Sequence, residues 1–186
     1  MTVKVANSRF ITSSITRFGA LYQHVFTSVS GFQKLGDTLI QEANTAQAFR
    51  QIDKIEEMGR MLSNIPLRQY QLIGQYYIGL AGSLKGETPR ALLEEVVEYS
   101  DAYRAKALIS IAVIEARKGD YVSELRRFTE ALKYANTPST KIEALRGIAI
   151  VIAKEGFNKQ SLKDVEAILP LAHYGDVRVC HDYLNS

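Results

Sequence analysis

Cysteine occurs once, at Cys180. One thiol cannot close an internal disulfide, and the usage fits a reducing, cytoplasmic setting. No apolar run reaches the roughly 18 residues that a membrane span needs. Only four prolines and twelve glycines leave little room for long irregular loops. A net charge of +3 is too small to argue for nucleic acid by itself. Acidic residues are missing from the first 30 positions; the first is Asp37. That stretch carries Lys4, Arg9 and Arg17, with Ile11, Ile15, Phe18, Tyr22, Phe26 and Val29 at helical spacing. Two readings fit it. One is a first helix packed on the rest of the chain, which we favour; the other is a segment of mitochondrial-transit type, amphipathic and poor in acid. It lacks the continuous apolar run of a secretory signal.

Catalytic and ligand-holding patterns are equally sparse. No Glu-x-x-His, His-x-x-x-His or cysteine pair occurs, so His24, His173, Cys180 and His181 read as surface or partly buried side chains and not as a metal set. Gly74, Gly79, Gly82 and Gly86 lack the spacing of a phosphate loop and read as sites of close helix packing. Cys180 and His181 are adjacent, and adjacent residues on a helix point about 100° apart, which argues against a nucleophile–base pair. Glu94, Glu95 and Glu98 read as a solvated face. Neither an enzymatic activity nor a cofactor is nominated.

What is present is helical punctuation. From Ala105 to Lys118 the chain is apolar on nearly every side, the pattern of a helix buried on two flanks. Leu108, Ile111, Ala112 and Glu115 share one face; Ile109, Val113 and Ala116 share another. Gly119-Asp120 stops it. A second helix from about Val122 to Tyr134 carries Leu125, Phe128, Ala131 and Leu132 at spacings of three and four. Asn136, Thr137 and Pro138 end it. Two helices joined by so short a turn lie antiparallel, and the pair leaves an apolar side that needs a neighbour.

Weaker copies flank this hairpin. In residues 31–66, Phe32, Leu35, Leu39 and Ile40 form one helical face. Asn44-Thr45 predicts a break, after which Ala48, Phe49, Ile52, Ile55, Met58 and Leu62 mark a second helix. In residues 67–102, a helix over Leu67–Leu84 stops at Gly86. Thr88 is placed to cap and Pro89 to open the next helix, whose inward residues read as Ala91, Leu92, Val96 and Val97. In residues 139–174, Ser139 or Thr140 caps a helix burying Leu145, Ile148, Ala149 and Ile152. Gly156-Phe157 turns it, and Leu162, Val165, Ile168 and Leu169 line its mate up to Pro170. The turns at Gly86, Gly119 and Gly156 are 33 (119 − 86) and 37 (156 − 119) residues apart.

In residues 103–138 the order of a small residue at Ala112, Gly119, Tyr121, Phe128 and Ala131-Leu132 resembles the tetratricopeptide repeat. Gly79 and Ala149 stand at its small position in the neighbouring units. Leu108 stands where that motif has Trp, Glu124 where it has Ala, and Pro138 two residues late. The resemblance implies an all-α fold, an α-α superhelix of three to four hairpins in a single domain. Residues 1–30 would add an N-terminal helix or cap, and residues 175–186 a C-terminal one.

The resemblance further implies a non-catalytic scaffold that binds a protein or peptide segment in a concave groove lined by first helices. Carried onto this sequence, the groove would take Ile73, Tyr76 and Leu80 from residues 67–102. Residues 103–138 would add Lys106, Ile109, Val113 and Arg117, and residues 139–174 Glu143, Arg146, Ile150 and Lys154. Tyr76 and Arg146 are the favoured contact residues. The basic edge would suit an acidic segment. No Asn lies on these first helices, so the chaperone-tail clamp of some members is not expected. Two alternatives stay open: a self-associating structural subunit or part of a longer array, and a helical-repeat nucleic-acid binder using Arg104/Lys106, Arg117/Lys118 and Arg126/Arg127.

Overall fold

The computed structural model describes residues 29–155. Expectations for residues 1–28 and 156–186, including the Gly156 turn, the histidines, Cys180 and both terminal caps, lie outside the described residues. Within them the protein is all-helical, with no strand. The helices are α1 (Val29–Ala48), α2 (Ile52–Ser63), α3 (Arg68–Lys85), α4 (Arg90–Tyr99), α5 (Arg104–Lys118), α6 (Tyr121–Tyr134) and α7 (Pro138–Glu155). Each packs against the next in sequence, and α5 also touches α3 and α7.

Helices α3 and α5 share one stop device. At Gly86 (φ 88°) and Gly119 (φ 71°) the backbone turns left-handed. In both cases the next residue's N–H reaches back to a carbonyl five positions earlier, Glu87 to Gly82 and Asp120 to Glu115. This is the Schellman closure, which favours glycine because it has no Cβ to clash. Helix α1 ends the same way, with Gln51 N–H on the Ala46 carbonyl, but the left-handed residue is Arg50 (φ 54°). The expected break at Asn44-Thr45 does not occur. Thr45 Oγ1 instead donates to the Gln41 carbonyl inside α1. Phe49, beyond the helix end, is 72% exposed and not part of an apolar face. A non-glycine residue at this φ is strained. Arg50→Gly is therefore expected to stabilise the protein by about 0.5–1 kcal/mol, after the greater unfolded-chain freedom of glycine is deducted; urea unfolding measures it.

Two starts also differ from expectation. Pro89 is the N-cap of α4 and not its first helical residue. The buried stripe of α4 also differs: Leu93 and Val96 are fully buried, while Ala91 is exposed and Leu92 and Val97 are half-buried. At α7 the cap is Thr137, whose hydroxyl accepts from the Thr140 N–H at 3.3 Å, and Pro138 opens the helix. At α6 the Asp120 carboxylate accepts from Ser123 N–H at 3.1 Å.

Corresponding helices of successive hairpins run side by side. Tyr70 on α3 donates to Asp37 on α1, and Tyr77, two turns further along α3, donates to Asn44, two turns further along α1. Both bonds span 33 residues, so α1 and α3 are parallel and in register. Arg127 on α6 meets Glu94 on α4 at 2.7 Å across the same span of 33. Arg117 at the end of α5 donates to the Ser83 carbonyl at the end of α3, a span of 34. Like helices are thus joined at one-unit offsets, as in a stack of hairpins.

Glycines allow the closest approaches. Gly59 on α2 and Gly74 on α3 lie back to back; a Cβ on Gly74 would sit 2.5 Å from the Gly59 carbonyl oxygen. Gly79 accommodates Leu93, Gly36 the ring of Tyr70 and Gly147 the ring of Phe128. The core forms two clusters. One spans α1 to α5 and includes Leu39, Ile55, Leu62, Tyr77, Leu93 and Ile111; the other joins α5, α6 and α7 through Leu108, Phe128, Leu132, Leu145 and Ile152.

Candidate functional site

The odd-numbered helices carry the residues assigned above to a shared face. On α3, Ile73 and Leu80 are half-buried, packed at the margin of the first core cluster. Tyr76 is only 3% exposed. Its ring lies 5.1 Å from that of Tyr77 and 5.0 Å from that of Tyr103, so much of it serves the α3–α5 seam. On α5, Ile109 is buried, Lys106 half-buried, and Val113 and Arg117 exposed. On α7, Glu143, Arg146 and Lys154 are exposed and Ile150 is half-buried.

Electrostatics ties several of these side chains together. Burial pushes the Tyr76 hydroxyl well above the ordinary tyrosine range, and the carboxylate of Glu143, from α7, adds to that push. Glu143 itself is raised. Crowding strips enough hydration from its carboxyl to outweigh the opposing pull of Lys106 and Arg146. The residue itself is exposed, so its carboxyl is open to an approaching group. Lys106 also places its Nζ 5.0 Å from the centre of the Tyr103 ring. Tyr76, Tyr103, Lys106, Glu143 and Arg146 therefore form one neighbourhood drawn from α3, from α5 with its N-cap residue Tyr103, and from α7. Arg117 lies at the far end of α5, tethered to the Ser83 carbonyl. Exposed apolar surface on these helices comes from Leu84, Val113 and Ile142, at 45%, 36% and 42% exposure.

Tyr103 was not singled out by sequence reasoning, because it precedes its helix and has no periodic partner; only packing shows it meeting Tyr76. The acids outside this face behave differently. Glu94 and Glu95 are not a simple solvated run. Glu95 binds Arg68 at 2.7 Å and Gln75 at 2.8 Å, and Glu94 binds Arg127 at 2.7 Å and Arg90 at 3.2 Å. Glu115, 3% exposed, is held by Arg90 and Lys118. Glu94 and Glu115 thus join neighbouring hairpins, while Glu95 ties α4 to α3 within one.

Among the described residues no three His, Cys, Asp or Glu side chains are grouped to hold a metal ion. No described helix is long and apolar enough to cross a membrane. What the odd-helix face offers is apolar area beside ammonium, guanidinium, carboxyl and phenol groups, the chemistry of a contact surface. Comparison with protein-family models, curated proteins and solved structures found no match to the chain.

Proposed function

We propose that this protein is a non-catalytic interaction scaffold, a tetratricopeptide-like superhelix that binds a protein or peptide segment along its odd-numbered helices. The observation that carries the reading is the coupling of Tyr76, Lys106 and Glu143, one from each of three successive odd helices, into one neighbourhood. A single extended or helical segment lying across that face would touch three hairpins at once. Val113, Leu84 and Ile142 would supply the apolar contact, and the charged groups would fix orientation.

The test is selection of binders from a random peptide library, followed by affinity measurement on variants. Tyr76 is unsuited to truncation because its ring is part of the core. Val113→Glu on α5 is expected to weaken the selected peptides about tenfold or more, since it places a charge in an apolar contact. Val122→Glu, on the 70% exposed position of α6, should leave affinity unchanged. Equal loss in both variants, or a library that yields no binder, would overturn the reading.

A further inference from the structure

The odd-helix face has a charge asymmetry that bears on the kind of segment it takes, granted the interaction reading above. The residues assigned to it on α3 carry no charge at neutral pH. Those on α5 contribute Lys106 and Arg117, and those on α7 contribute Arg146, Lys154 and one acid, Glu143. Off this face the acids are matched: Glu94, Glu95 and Glu115 are paired with Arg68, Arg90, Lys118 and Arg127. A basic segment would meet four like charges against one counter-charge. A segment bearing carboxylates would meet the reverse.

Glu143 occupies a particular place in that arrangement. It lies where both Lys106 and Arg146 act on it, and its charge is felt at Tyr76. It is thus the carboxylate that an incoming acid would have to replace. Glu143 is exposed and one helical turn from Arg146, so an incoming carboxylate can take its place, and the Lys106 ammonium is a donor suited to a carboxylate.

We propose that the partner is an acidic segment whose carboxylates supplant Glu143 beside Lys106 and Arg146, and that Glu143 sets the selectivity of the face. Exposed ionic contacts change affinity by only a few-fold each, and salt screens them. The acidic character therefore acts as discrimination laid over apolar contact and is expected to be salt-sensitive.

Three synthetic peptides of about 16 residues, sharing one leucine pattern and carrying Glu, Gln or Lys at every other variable position, discriminate the possibilities by fluorescence anisotropy with the full chain. The Glu peptide is expected to bind about tenfold tighter than the Gln peptide, with the Lys peptide weakest. Salt near 0.5 M should remove most of the difference, since the screening length falls well below 10 Å. Glu143→Gln should tighten the Glu peptide about threefold and leave the Gln peptide unchanged. Lys106→Gln/Arg146→Gln should abolish the preference while circular dichroism and the melting temperature report an intact fold. If Glu and Gln peptides bind alike, or Glu143→Gln weakens the Glu peptide, the selectivity proposal fails while the scaffold reading stands. If none of the three binds, both fail.

Discussion

Gly74→Ala is expected to destabilise the protein by about 3 kcal/mol, although glycine to alanine inside a helix ordinarily gains about 1 kcal/mol from propensity. The reversal comes from what a methyl group would strike. Its carbon would lie 2.5 Å from the Gly59 carbonyl oxygen and 2.6 Å from the Ser63 backbone nitrogen, both atoms of α2 that cannot rotate away. Helices α2 and α3 would have to separate, and α3 cannot shift freely because Tyr70 and Tyr77 tie it to α1. Denaturant unfolding should show a lower midpoint with little change in slope. An unchanged or raised midpoint would mean that the two helices do not approach at Gly59 and Gly74.

Tyr77→Ala is expected to cost about 4 kcal/mol, within the range for deleting a large buried aromatic. Tyr77 is fully buried, meets Tyr76 and Tyr103 edge to face, and donates to Asn44 Oδ1 at 2.7 Å. It thus joins α1, α3 and the start of α5 at one point. Tyr77→Phe separates the two contributions. It keeps the ring and removes only the hydroxyl, leaving Asn44 able to turn to water, so about 1–1.5 kcal/mol is expected. Thermal and urea unfolding of both variants give the comparison. A Phe variant as damaged as the Ala variant would mean that the hydrogen bond, and not the ring, holds the seam.

The parts of this fold that were legible in the sequence are those written in local chemistry. Gly86 and Gly119 mark helix ends because the left-handed turn demands them, and Leu125, Phe128, Ala131 and Leu132 mark a buried stripe because burial there follows the helical period. The end of α1 was hidden because Arg50 fills a position where glycine would have announced it. Arg50, Gly86 and Gly119 place three stops 36 (86 − 50) and 33 (119 − 86) residues apart, so the spacing held where its usual marker was missing. Asn44 looked like a break because it is polar; it is polar because Tyr77, 33 residues away, needs an acceptor. Leu93 was passed over because Leu92 and Leu93 are both apolar and point about 100° apart, and local sequence does not say which of them meets the core. On the candidate face the difficulty was different. Helices α3 and α5 are apolar nearly all round, and periodicity cannot tell a side that stacks on the next hairpin from a side that meets a partner. Tyr76 shows this: its type suits an interface, while its position in the seam is fixed by Tyr103.

Four of the bonds joining one hairpin to the next, from Tyr70, Tyr77, Arg117 and Arg127, reach back 33 or 34 positions, and those from Lys85 to Glu56 and between Arg90 and Glu115 span 29 and 25. Each closure therefore costs nearly the same chain entropy, and none requires distant ends of the polypeptide to find each other first. Order can begin in any pair and spread like a zipper toward both termini, so a growing chain could lock each unit as soon as the following one had been synthesised.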